Sequence, residues 1–107
     1  MIRNGRPYTN ENGSVDDALV TERHSEEEIQ IICEWIKSSL VRRKTPNYNR
    51  TSYGLKHILE RDTGIYLTNN EFKDAMLMCD YEPVDPNKLN WSYCISAKSP
   101  AFKRKQH

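Results

Sequence analysis

Between Arg42 and Arg61, the basic side chains Arg42, Arg43, Lys44, Arg50, Lys56 and Arg61 stand against a single acid, Glu60. Cations at that density can neutralise phosphates, the main sequence-independent contribution to nucleic-acid binding. Tyr48 and Tyr53 are interleaved with these charges, and a tyrosine ring can stack on a base of any identity. Asn47, Asn49, Thr51 and Ser52 add neutral donors suited to phosphate oxygens. Free backbone amides at the start of the following helix would reinforce such a site. A plainer reading stands beside this one: Arg42, Arg43 and Lys44 terminate the preceding helix and the other cations are solvated.

Other chemistry has less support. His24, His57 and His107 share no metal-ligand spacing with one another or with Cys33, Cys79 and Cys94, and no CxxC occurs. Three widely spaced cysteines in apolar surroundings read as reduced thiols of a cytoplasmic protein, filling a core. A nucleophile needs a Cys or Ser beside a base, and nothing in the spacing makes Cys33, Cys79 or Cys94 more than core filler. The single glycine of "YGLKH" is no phosphate-cradling loop. The expectation is a non-enzymatic protein with no metal and no cofactor.

These residues need elements to position them. In "SEEEIQIICEWIKSSLVRR", Ser25 and Glu28 make a capping box, and Ile29, Ile32, Cys33, Ile36 and Leu40 fall on one helical face, widened by Ile31 and Trp35. Pro46 in "KTPNYN" breaks that helix. A second helix runs from Thr51 or Ser52 to about Asp62, with Leu55, Ile58 and Leu59 inward and Gly64 as its left-handed cap. "IYL" (Ile65 to Leu67) predicts a brief strand. Thr68 and Glu71 open a third helix with another capping box, and Phe72, Ala75, Met76 and Cys79 form its buried stripe. In "WSYCIS", Trp91, Tyr93 and Ile95 fall on one face and Ser92, Cys94 and Ser96 on the other, giving a strand that can pair with Glu82 to Val84 in a hairpin.

The resulting fold is α+β: three helices, a short strand and a C-terminal β-hairpin, in the order of a winged helix-turn-helix. An unspecialised small α+β domain has the same elements and remains an alternative. Residues 1–24 read as a flexible arm in which Val15, Ala18, Leu19 and Val20 make a brief helical contact, 25–97 as the domain, and 98–107 as a basic, frayed tail. In a winged helix the third helix reads the major groove. Asn69, Asn70, Lys73, Asp74, Leu77 and Asp80 are its expected outward positions, and Asn70 and Lys73 its base contacts. Glu71, Asp74 and Asp80 outnumber Lys73 there, so phosphates repel this helix, and Glu71, Asp74 and Leu77 suit a protein partner instead. Trp35, Tyr66, Leu77 and Met78 could add exposed apolar area for such a partner, although core is the plainer reading for Trp35 and Tyr66.

Across 107 residues, 16 Lys and Arg nearly balance 15 Asp and Glu, which rules out binding by bulk positive charge alone. No apolar run approaches the roughly 18 residues of a membrane span. The stretch from Thr51 to Ile95 resembles small winged-helix-like accessory proteins of phages and mobile elements of Gram-positive gut bacteria, on "TSYGLKHILERDTGIYLTNNEFKDAML" and the closing "NWSYCIS". It is also similar to the winged-helix tails of viral and phage primase-helicases. The resemblance covers under half of the chain and implies two roles. One is a module binding DNA or RNA. The other is an anti-CRISPR type inhibitor that docks to a host nucleoprotein such as a CRISPR effector. A homodimer is compatible with either.

Overall fold

The computed structural model describes residues 2–3, 6–7 and 20–103. The elements are β1 (Ile2–Arg3), β2 (Arg6–Pro7), α1 (Val20–Arg23), α2 (Glu26–Ser39), β3 (Arg42–Thr51), α3 (Ser52–Thr63), α4 (Asn69–Met78), β4 (Ser92–Ile95) and α5 (Pro100–Lys103). β1 and β2 form one antiparallel pair, β3 and β4 another. The described chain is a small α+β domain, and among the described residues no helix is long and apolar enough to cross a membrane.

Both capping boxes form. Ser25 accepts from the Glu28 amide at the start of α2, and Thr68 accepts from the Glu71 amide at the start of α4. Gly64 closes α3 with φ 78°, the left-handed geometry that a side chain would strain. Ile32, Ile36, Leu55, Leu59, Phe72 and Met76 from the three main helices meet Trp91, Tyr93 and Ile95 in one buried core.

Several expectations are corrected. α2 stops at Ser39, and Arg42 to Lys44 belong to β3 rather than to a helix end. Pro46 is not what breaks α2, which has already ended at Ser39; it lies inside β3, where the strand is irregular. Ten residues of β3 face four of β4, with register shifts between Arg42 and Asn47 and between Asn47 and Thr51. Proline is tolerated in such bulged stretches because the missing N–H breaks no ladder bond. Side chains replace the lost rungs: Asn47 Nδ2 donates to the Ile95 carbonyl at 3.1 Å, and Asn47 Oδ1 accepts from the Asn49 amide at 3.1 Å.

Ile65 to Leu67 is not a strand. Ile65 and Leu67 are buried as loop anchors, and Tyr66 between them points out. The hairpin of Glu82 to Val84 with Trp91 to Ser96 does not form either. Pro83 and Pro86 have no amide to give, a single bond joins Val84 N to the Ser92 carbonyl at 2.9 Å, and β4 pairs with β3 instead. The ordered unit also extends past its expected limits. Val20 is fully buried, its amide donating to Asp74 Oδ2 at 2.9 Å, and Ala101 of α5 is fully buried with its carbonyl accepting from Arg61 at 3.1 Å. The expected contact of Val15, Ala18 and Leu19 and the last four residues of the tail lie outside the described residues.

His24 ties the α1 segment to both capped helices. Its Nδ1 lies 3.3 Å from Glu28 Oε1 and its Nε2 3.5 Å from Glu71 Oε1, so one imidazole bridges the glutamates of two capping boxes. Arg23 adds a 3.9 Å contact to Glu71 Oε2. His24→Ala should lower unfolding stability by about 1–2 kcal/mol, the usual value of one or two charge-assisted bonds, read from the urea midpoint.

The core also sets an alkaline limit. Burial, followed by the neighbouring Cys33 thiol, pushes Cys79 from 9.0 to about 12. Burial alone pushes Tyr93 well above 10.0, and burial outweighs the opposing Arg42 charge at Tyr81. In each case the folded form keeps a proton that the unfolded chain gives up. Stability from these groups is therefore complete below about pH 9 and is lost as pH rises toward 12. Each group contributes a slope of up to about 1.4 kcal/mol per pH unit. Urea midpoints from pH 8 to 11 should be flat and then fall.

Candidate nucleic-acid interface

The basic region does not form one open patch. Arg42 donates to the carbonyls of Asp80 at 3.0 Å and Cys79 at 3.1 Å, and its guanidinium lies 3.9 Å from the Tyr81 ring centre. It thereby satisfies the C-terminal end of α4, where carbonyls lack helical partners. Arg43 is spent on the Thr45 and Pro46 carbonyls of the β3 bulge at 2.9 and 2.7 Å. Arg61 pairs with Asp62 at 2.9 Å and holds α5 through Ala101. Lys44 and Arg50 are exposed, the Arg50 guanidinium 4.2 Å over the Phe102 ring.

The third-helix predictions meet a harder obstacle. Asn69, Asn70, Glu71, Lys73 and Asp74 are all buried; the α1 segment, α2 and α3 pack against α4, and the Trp91 ring lies against Lys73. Lys73 is 0% exposed, with its ammonium 4.8 Å from the Trp91 ring centre. Neither Asn70 nor Lys73 can touch a base from there, and Glu71 and Asp74 cannot greet a protein. Leu77 and Met78 alone reach the surface of α4, where Leu77 lines a cleft of about 220 Å³ with Glu82, Pro83 and Pro86. Trp35 is core, its indole N–H donating to Asp62 at 2.8 Å.

What the fold does bring together is aromatic. Tyr48, Tyr53 and Tyr66 are 69%, 53% and 58% exposed, and they line two clefts that meet at Asn90. The first, about 420 Å³, lies among Tyr53, Tyr66, His57, Lys56, Asn69 and the Leu89–Asn90 segment. Lys56 is only 5% exposed, and its ammonium sits 5.2 Å from the Tyr53 ring centre and 4.8 Å from that of Tyr66. Its cation–π contacts hold both rings while placing positive charge at the base of the cleft. His57 meets Tyr53 edge-on at 4.7 Å. The second cleft, about 350 Å³, is bounded by Tyr48, Val84, Asp85, Lys88 and Ser92 as well as Asn90.

The loop between the clefts is fixed from below. Ser52 donates its amide to the Trp91 carbonyl at 2.8 Å, and its Oγ accepts from the Trp91 amide at 3.0 Å. That hydroxyl donates to Asn69 Oδ1 at 2.8 Å, and Asn69 Nδ2 donates to the Leu89 carbonyl at 3.2 Å and to Asn90 Oδ1 at 2.9 Å. The Trp91 indole holds the Pro86 carbonyl at 3.1 Å, and Asp85 Oδ1 accepts from the Asn87 amide at 3.0 Å. A cleft supported this way is preformed, the condition that lowers the ordering cost of binding.

Of the residues singled out from the sequence, Tyr53 and Lys56 line the first cleft and Tyr48 the second, whereas Arg50 lies over Phe102 and lines neither. Sequence reading missed Asn90 and Lys88, whose turn-rich surroundings carry no periodic signal, and Asn69 as the network's hub. Among the described residues no group of three or more His, Cys, Asp or Glu is placed to hold a metal ion. The fold defines a small α+β domain. Comparison with protein-family models, curated proteins and solved structures finds no match to this chain.

Proposed function

We infer that this domain is a non-enzymatic binding module for single-stranded nucleic acid, working through the face that carries Tyr48, Tyr53 and Tyr66. The observation that carries the reading is three tyrosine rings held largely in solvent around two clefts, with Lys56 beneath and Lys88 beside them. Exposed rings beside cations are what unpaired bases and their phosphates need, whereas a duplex hides its base faces. A winged-helix mode would seat α4 in a major groove, and the burial of Asn70 and Lys73 argues for another route. Arg50 and Lys44, exposed on β3, extend the positive charge along the strand's path.

The experiment is a titration of a labelled single strand and a labelled duplex, each at low and near-physiological salt. The reading predicts tighter binding of the single strand, weakening as salt rises. Equal binding of both, or none at low salt, would overturn it.

The second reading, a protein-directed inhibitor of a host-defence nuclease, draws on the resemblance and on the cleft beside Leu77. Met78 and Val84 are 38% and 40% exposed, giving a modest apolar surface. A CRISPR nuclease that cuts normally in excess protein would remove that example. Origin in a phage or mobile element and a cytoplasmic setting belong to the same proposal.

A further inference from the structure

Two of the three cysteines meet inside the fold. Cys33 sits midway along α2 and Cys79 caps the C-terminal end of α4, two helices that pack against one another. Their thiols share a hydrogen bond across that helix interface. Cys79 belongs to the core at 6% exposed, whereas Cys33 packs on the core's edge and is half-buried. Cys94 stands on β4, alternating with the buried Tyr93 and Ile95.

The Cys79 backbone is held in place independently of its thiol. Its amide donates to the Ala75 and Met76 carbonyls at 3.2 and 3.1 Å, and its own carbonyl accepts from Arg42 at 3.1 Å. Arg42 also holds the Asp80 carbonyl at 3.0 Å, and Asp80 turns the chain at φ 64°, a left-handed geometry that aspartate tolerates. A disulfide needs its two sulfurs in contact on backbones that approach closely, and packed helices with touching thiols supply that start.

We propose that Cys33 and Cys79 are an oxidisable pair, closing an intramolecular disulfide between α2 and α4 when the protein meets a peroxide. Access and protonation assign the order of events. Cys79 is enclosed and keeps its proton, its thiol pushed up to about 12 by burial and by Cys33, so it does not react first. Cys33 is the sulfur that an oxidant can reach. It attacks one peroxide oxygen, the O–O bond breaks, and water leaves a sulfenic acid on Cys33. The Cys79 sulfur then attacks the sulfenic sulfur, the S–O bond breaks, and a second water departs. Both thiol protons end in water, and the peroxide takes up the two electrons that the sulfurs give. A dithiol reductant reverses the bond by exchange. Closed, it ties α2 to the end of α4 and restricts the unfolded chain.

The test exposes the whole protein to hydrogen peroxide, then denatures it, alkylates free thiols and digests with trypsin. Cleavage after Arg23, Lys37, Lys73, Lys88 and Lys98 leaves each cysteine on its own peptide. Free thiols should fall from three to one, with Cys94 alkylated and the Cys33 and Cys79 peptides joined within a monomer. The melting temperature should rise by about 10 °C and return with dithiothreitol. Cys33→Ser should keep the Cys79 thiol through the same exposure, and Cys79→Ser should leave Cys33 oxidised without a disulfide. Three thiols retained, a bond through Cys94, or a bond between two chains would overturn the proposal. An oxidised protein melting at or below the reduced one would also overturn it, because the bond would then form by distorting the packing. The peptide map of the unaltered protein decides the pairing even where a serine variant fails to fold.

Discussion

Trp91→Ala should cost the domain about 3–5 kcal/mol, as expected for deleting a fully buried large aromatic side chain. That is a large share of the roughly 5–15 kcal/mol by which such domains are stable. The ring fills the space between α4 and the strand pair, lies under the Lys73 ammonium and donates to Pro86. Its removal therefore opens a cavity, exposes a buried cation to that cavity and releases the loop that walls both clefts. Trp91→Phe keeps an aromatic ring and loses the indole N–H, so the expected cost is about 1–2 kcal/mol. Thermal and urea unfolding of the two variants shows how much of the loss a smaller ring without the N–H recovers.

The second large effect falls on binding. Tyr53→Ala combined with Tyr66→Ala should weaken single-strand affinity by about 2–6 kcal/mol, since each stacked ring contributes roughly 1–3 kcal/mol. Both rings are more than half exposed, so the fold should change far less than the affinity. Tyr53 and Tyr66 contact the same Lys56 ammonium, and the double change is expected to depart from the sum of the single ones. Tyr53→Phe and Tyr66→Phe should bind almost normally, because stacking uses the ring face. A drop in affinity that these phenylalanines share would assign the binding to the hydroxyls instead.

The helices were legible because caps and periodicity are local. Ser25 with Glu28 and Thr68 with Glu71 declare helix starts within four residues of sequence, and both boxes form. The sheet was less legible. Strand pairing between Arg42–Thr51 and Ser92–Ile95 joins distant segments, and Pro46 disguised a bulged strand as a break.

Solvent exposure on α4 was misjudged for a related reason. Helical spacing separates one face from another, but it cannot reveal that an element is enclosed on all sides. Asn70, Lys73 and Asp74 look outward by period and are buried, Asp74 against the Val20 amide and Lys73 against the Trp91 ring, partners from opposite ends of the chain. The basic run was visible in composition, yet composition could not show that Arg42, Arg43 and Arg61 are drawn into donating to the carbonyls of Cys79, Pro46 and Ala101. Asn90 gains its meaning only from Asn69, 21 residues away in the chain.

The most direct test of the central claim is a footprint: amide and tyrosine-ring chemical shifts of the labelled protein recorded as an eight-residue oligo-dT is added. The largest changes should fall on Tyr48, Tyr53, Tyr66, His57, Lys88 and Asn90, with α2 unchanged. Changes gathered instead around Leu77, Met78 and Val84, or spread evenly over every exposed cation, would contradict that claim.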